Sequence, residues 1–135
     1  MGDKVFLGSI VLPDRIIEKG YVLVADGVVQ GIGDGPPPSG ERYGGDGILV
    51  LPGAIDSQVH SRSQADQEDF IWSTRSAAAG GVTTIVDMPY DDGDLICTAN
   101  RLRRKAEEAE AKTHVDFALY ATIDPADGTK DLTRN

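Results

Sequence analysis

The chain has 135 residues, 40% of them hydrophobic, with 22 acidic against 13 basic side chains and a formal charge of −9. That length falls within one domain and can build a core, while the acidic balance argues against nucleic acid or an anionic membrane surface as partner and leaves small molecules or other proteins. A single cysteine, Cys97, excludes an internal disulfide and any multi-cysteine zinc site.

The opening "MGDKVFLG" lacks the basic and long apolar regions of a signal peptide, so the cytoplasm is the expected location. No apolar run approaches the roughly 20 residues of a membrane span. The stretches "KVFLGSIVL" and "GYVLVADGVVQGIG" carry β-branched residues in short runs, and the Asp26-Gly27 pair between "YVLVA" and "VVQGIG" is a two-residue hairpin signal, because both turn positions need positive φ. An antiparallel β layer is therefore predicted over residues 4–32. Residues 33–47 hold six Gly and three Pro and read as a surface loop or a linker.

After residue 47 the pattern changes. "ILVLPGAIDSQVH" is a buried-strand candidate broken at Pro52-Gly53. "DQEDFIWSTRSAAAGG" reads as a helix with Asp66 as N-cap, Asp69 three residues on, and Gly80-Gly81 as its stop. "VTTIVDMP" is apolar or β-branched nearly throughout, as a strand covered on both faces would be. The loop "YDDGD" leads to a helix "LICTANRLRRKAEEAEAK" with Leu102, Ala106 and Ala109 on a narrow apolar face, and "VDFALYATID" is a third strand. Strand, helix, strand, helix, strand is the rhythm of a parallel α/β fold. Three such strands leave an open edge, and the tail "PADGTKDLTRN" offers no apolar element to cover it, so a partner chain or a longer protein is expected to complete the sheet.

The segments "LPGAIDSQVHSR" and "EDFIWSTRSAAAGGVTTIVDMP" resemble the cyclic amidohydrolases, the group of dihydroorotases, allantoinases and hydantoinases. That family opens with a β layer, a strand ending Pro-Gly-x-Ile-Asp-x-His-x-His, a helix ending Ala-Gly-Gly-x-Thr-Thr and a strand ending Met-Pro. The resemblance implies an α/β fold: the N-terminal part of a β-sandwich over residues 1–51, then the first βα units of a TIM-like barrel over 52–135, incomplete as given. It also implies hydrolysis of C–N bonds in a cyclic amide by metal-activated water, with a divalent metal, zinc by preference, as cofactor.

Residue by residue, the resemblance makes His60 a metal ligand and puts Gln58 in the place of the family's first histidine. Arg62 matches an arginine that binds a substrate carboxylate in dihydroorotases, and Asp56 matches the aspartate just before the metal-binding pair. Tyr90 departs from the Asn that commonly follows Met-Pro in dihydroorotases. The family's other ligands, a carboxylated lysine, two histidines and an aspartate, belong to later strands.

The residue chemistry leaves alternatives beside these roles. An amide side chain offers a neutral oxygen, a weaker zinc ligand than imidazole, so Gln58 weakens the first metal position. His60 is either a ligand or a hydrogen-bonded structural histidine, and Arg62 either faces the pocket or pairs with the acidic run Asp66 to Asp69. Asp87 either orients a ligand or makes a cap or loop contact. His114 reads as a helix-end or surface histidine. "YDDGD" lacks the spaced ligands and closing Glu of a calcium loop. "RLRRK" followed by "AEEAEAK" reads as a solvated helix face with i,i+4 pairs such as Arg104 with Glu108. The expected partners are a small cyclic amide and further copies in a homo-oligomer, with no nucleic acid and no membrane. A non-catalytic amidohydrolase-like assembly module is the competing reading.

Overall fold

A computed structural model describes residues 2–63, 66, 68–91 and 93–123. Two compact units divide the chain, Met1–Pro52 and Gly53–Asn135.

The first unit is a four-stranded sheet built from β1 (Lys4–Val11), β2 (Ile16–Ala25), β3 (Val28–Gly33) and β4 (Glu41–Val50), in the order β3-β2-β1-β4. β1, β2 and β3 form the predicted antiparallel meander. Asp26 at φ 51° and Gly27 at φ 77° make the two-residue hairpin turn, with Ala25 paired to Val28 across it. Val5 and Ile10 are the buried apolar residues of this sheet.

The expected loop at 33–47 is corrected by β4, which runs parallel to β1 from Glu41 onward. Its glycines sit where pairing is interrupted. The register runs from Lys4 with Glu41 to Leu7 with Gly44, then resumes only at Ser9 with Leu49. Gly44, Gly45 and Gly47 have φ of 84°, 143° and 78°, so the extra residues bulge out through conformations that favour glycine. A glycine-rich composition thus reflects a bulged strand as well as a loop, and only residues 34–40 connect the strands.

In the second unit, β5 (Ala54–Val59), β6 (Val82–Asp87) and β9 (Asp116–Leu119) form a parallel sheet in that order, with α1 (Phe70–Ala79) after β5 and α2 (Ala99–Lys112) before β9. Two short strands, β7 (Tyr90–Asp91) and β8 (Asp94–Leu95), pair as a small hairpin between β6 and α2. The chain is therefore mixed α/β, an N-terminal β layer followed by βα units, as expected. Phe70, Ile85, Ile96 and Ala109 are buried here. Each large apolar side chain of this set contributes about 1.5–3 kcal/mol of burial.

Both helices begin later than predicted. The N-cap of α1 is Asp69, not Asp66; its carboxylate accepts from the Phe70 N–H at 2.7 Å. Two acidic caps competed in the sequence, and the one adjoining the buried Phe70 starts the helix. The Gly80-Gly81 stop holds, with Gly80 N–H donating to Ser76 and Ala77 carbonyls. α2 is capped by Thr98, whose hydroxyl accepts from the Arg101 N–H. The preceding apolar residues are an anchor rather than a first turn: buried Ile96 donates its N–H to the Pro89 carbonyl, and its own carbonyl accepts from Thr122. The tail read as lacking an apolar element lies outside the described residues. No helix among the described residues is long and apolar enough to cross a membrane.

Candidate functional site

The C-terminal ends of the parallel strands converge on one segment, residues 87–91. The Val59 carbonyl at the end of β5 accepts from the Met88 N–H at 2.8 Å, and the Asp87 carbonyl accepts from the Tyr120 N–H at 2.9 Å. Ligand sites of α/β sheets lie outside such carboxyl ends. Here β5 delivers His60 and, directly after it, a turn at residues 61–63 with Arg62 within it.

This turn is bonded at both of its ends. The buried Ser61 N–H donates to Asp87 Oδ1 at 2.8 Å, and the Ser73 hydroxyl of α1 donates to Ser61 Oγ at 2.9 Å. Ser63 Oγ donates to the Tyr90 carbonyl at 3.2 Å and lies 3.1 Å from His60 Nδ1. The exposed His60 ring stacks on Tyr90 with centroids 6.4 Å apart. Tyr90, the residue that departs from the expected Asn, is therefore a neighbour of the candidate ligand.

Gln58 is exposed, and its N–H donates to Asp56 Oδ1 at 3.1 Å. This bond accompanies a bulge: Asp56 pairs with Ile85 and Val59 with Asp87, so β5 carries one extra residue between them. The strict alternation that would put Asp56 on the side of Gln58 and His60 is broken at that point, and Asp56 shapes the bulge that precedes His60.

Arg62 turns towards α2. Its Nη1 binds Glu108 Oε2, and its buried Nε makes an ion-pair contact with Asp91 Oδ2 at 3.7 Å. Its partners are thus Glu108 and Asp91 instead of the acidic run at 66–69. Asp69 is held by Lys112, at 2.7 Å. The expected Arg104–Glu108 pair is also replaced: Arg104 binds Asp94 at 2.5 Å, and Glu108 is shared by Arg62 and Lys112. His114 is exposed just after the C-cap of α2, with its backbone N–H donating to the Thr74 hydroxyl at 3.1 Å.

Sequence reasoning missed Lys105. Read as part of a solvated basic run, it is about 1% exposed, as is Asp87, and the two charges lie 2.7 Å apart. The contact is an ion pair without ordinary hydrogen-bond geometry at Asp87 Oδ2. Nζ also donates to Asp91 Oδ1 at 2.5 Å and to the Met88 carbonyl at 2.7 Å. The signal was its spacing, since Leu102, Lys105 and Ala109 fall at i, i+3 and i+7 on the buried face.

No family model matches the chain. Among curated proteins, an allantoinase of Rubrobacter xylanophilus is 40% identical over 111 residues, 80% of this chain and 24% of its own length. A probable allantoinase of Dictyostelium discoideum is 31% identical over 90% of this chain and 27% of its own. The solved L-hydantoinase of Arthrobacter aurescens superposes with a TM-score of 0.76 at 32% identity, over 90% of this chain and 28% of that enzyme. The chain belongs to the cyclic amidohydrolases. It spans about a quarter of the length of the curated relatives it matches.

As a cyclic amidohydrolase chain it falls short of a metal site. Among the described residues, no group of three or more His, Cys, Asp or Glu side chains is arranged so that it could hold a metal ion. One imidazole at His60 and one neutral amide at Gln58 do not fill the four positions of a tight zinc site. Family members are generally metal-dependent, but the donor set present here does not fit a closed centre.

Proposed function

We propose that the chain supplies the β layer and first βα units of an allantoinase-like or hydantoinase-like enzyme that hydrolyses a C–N bond in a cyclic amide. The observation that carries this reading is the placing of His60 and Arg62 on a turn at the carboxyl ends of β5 and β6, in a chain 40% identical to an allantoinase over 80% of its length. In this reading the sheet continues into a TIM-like barrel, and a divalent metal, zinc by preference, is bound with ligands that later strands contribute. His60 is one ligand, Gln58 a weak neighbour, Asp56 a shaping residue behind them, and the Arg62 guanidinium a binder of the polar ring edge. The 135-residue chain alone is inactive, works in the cytoplasm and associates with copies of itself.

Gln58 in the place of a histidine favours a second reading, a non-catalytic module that serves assembly. Ring opening of allantoin, hydantoin and dihydropyrimidines by a longer protein containing this chain separates the two. Activity that is lost in His60→Ala supports the enzyme. A longer protein that opens none of these rings, and whose oligomeric state changes when this unit is removed, supports the module.

A further inference from the structure

We propose that Lys105 is a positioning residue for the turn that carries His60 and Arg62, an inference that rests on reading this turn as part of the cyclic-amide site. Its ammonium donates to Asp91 Oδ1 at 2.5 Å and to the Met88 carbonyl at 2.7 Å and forms an ion pair with Asp87 Oδ2 at 2.7 Å, all within residues 87–91. The same segment receives the turn through two bonds, Ser61 N–H to Asp87 Oδ1 and Ser63 Oγ to the Tyr90 carbonyl. Lys105 thus holds, from α2, both the carboxylate and the backbone stretch on which the His60 turn is hung. It reaches His60 only through them.

The chemistry suits that task. A lysine ammonium is a compact charge, and here two hydrogen-bond acceptors and one carboxylate ion-pair partner surround it. A buried ion pair is weak support for stability, since a well-packed apolar side chain of similar volume often serves as well or better. Lys105 occupies a position on the apolar face of α2 between Leu102 and Ala109, where leucine or methionine would pack. What a leucine would not do is fix the direction of Asp87, which must keep Oδ1 on the Ser61 N–H. Arg62 joins the same network through Asp91, so the clamp governs both residues of the turn.

The test is amide hydrogen exchange and imidazole NMR on the 135-residue chain. Lys105→Met alone leaves the Asp87 charge buried and unpaired, so the deciding variant is Asp87→Asn with Lys105→Met, in which position 87 is neutral and its amide oxygen still accepts from Ser61. Positioning predicts that Ser61 exchange, taken relative to the amides of β6 and β9, is about tenfold or more faster in the double variant than in Asp87→Asn alone, which already weakens the Ser61 acceptor but keeps Lys105 on Asp91 and the Met88 carbonyl. It also predicts that the His60 ring nitrogens change shift and that the His60–Tyr90 contact is lost. Unchanged Ser61 exchange with that contact intact would overturn the proposal. So would Ser61 exchange rising only in step with β6 and β9, or failure of the double variant to fold, since Lys105 would then serve structure alone. No substrate or metal enters these readouts. Absence of cyclic-amide hydrolysis in a longer protein would therefore remove the enzyme reading while leaving the Ser61 and His60 effects in place.

Discussion

The Asp69 carboxylate serves two helices at once: Oδ1 accepts from the Phe70 N–H at the start of α1, and Oδ2 accepts from Lys112 Nζ in the last turn of α2, each at 2.7 Å. Burial by itself would raise the Asp69 pKa, but the Lys112 bond, the Phe70 N–H and the nearby positive charges of Lys112 and Arg62 together hold it below the usual carboxylate value. A depressed folded-state pKa contributes stability that is fully present above the unfolded value of about 3.9 and disappears as pH falls through the folded value. The stability difference between the native chain and Asp69→Asn is therefore expected to be constant from about pH 7 to 5 and to shrink towards zero below about pH 4. Urea denaturation at three pH values measures it; a difference that grew on acidification would contradict this assignment.

Gly27→Ala tests the hairpin. Gly27 has φ 77° with open space around it, so an added Cβ meets no neighbour and the penalty is purely conformational. Holding an alanine in that region costs about 1–2 kcal/mol. The loss should appear in the melting of the first unit and be absent from the second.

Gly53→Ala should fail for a different reason. A Cβ there would collide with the Oγ1 and Cγ2 of Thr83 and lie 2.7 Å from its Cβ. Overpacking of this kind typically costs about 1–3 kcal/mol. Because the Oγ1 and Cγ2 of Thr83 are the obstacle, Gly53→Ala combined with Thr83→Ala should lose less than the sum of the single changes, a non-additivity that a double-mutant cycle reads directly.

Elemental analysis tests the metal reading. The 135-residue chain is expected to retain negligible zinc, because one imidazole and one amide leave the coordination shell short. In a longer protein Gln58→His should raise the retained metal, an imidazole replacing a neutral oxygen, and His60→Ala should lower it. Stoichiometric zinc in the 135-residue chain would refute the ligand assignment.

Association is expected of the isolated chain. Ile55 on the sheet-edge strand β5 is 69% exposed and Trp72 on α1 is 61% exposed, and an edge strand of this kind invites pairing with another chain. Sedimentation should show oligomers, and Ile55→Lys should shift them towards monomer.

The parts of this fold that were legible in the sequence are those set by local chemistry. Asp26-Gly27 announces its turn because positive φ at both positions is a property of the two residues alone. The parallel strands are legible from their apolar runs. β4 was hidden because its pairing partner β1 lies far back in the chain, and its glycines serve a bulge that only the partner strand defines. The start of α1 was read three residues early, at Asp66, because either aspartate can cap and only the burial of Phe70 selects Asp69. At the candidate site, His60 and Arg62 were found through the family pattern, but their supports were not. A lysine in a run of cations gives no sign by itself that its partners are Asp87, Met88 and Asp91.

The pairing of Lys4 with Glu41 and of Ile10 with Val50 also sets a schedule for the polypeptide as it is made. The meander of β1, β2 and β3 can form while the chain is still emerging, but one edge of β1 stays open until residue 50 is free of the ribosome. Contacts so distant in sequence slow folding more than they alter final stability. The link at 34–40, with Pro36, Pro37 and Pro38 at its centre, is where that delay is set. Doubling its length would cost only about 0.6 kcal/mol in closure entropy, while replacing the stiff prolines with glycines would lengthen the search for the last strand.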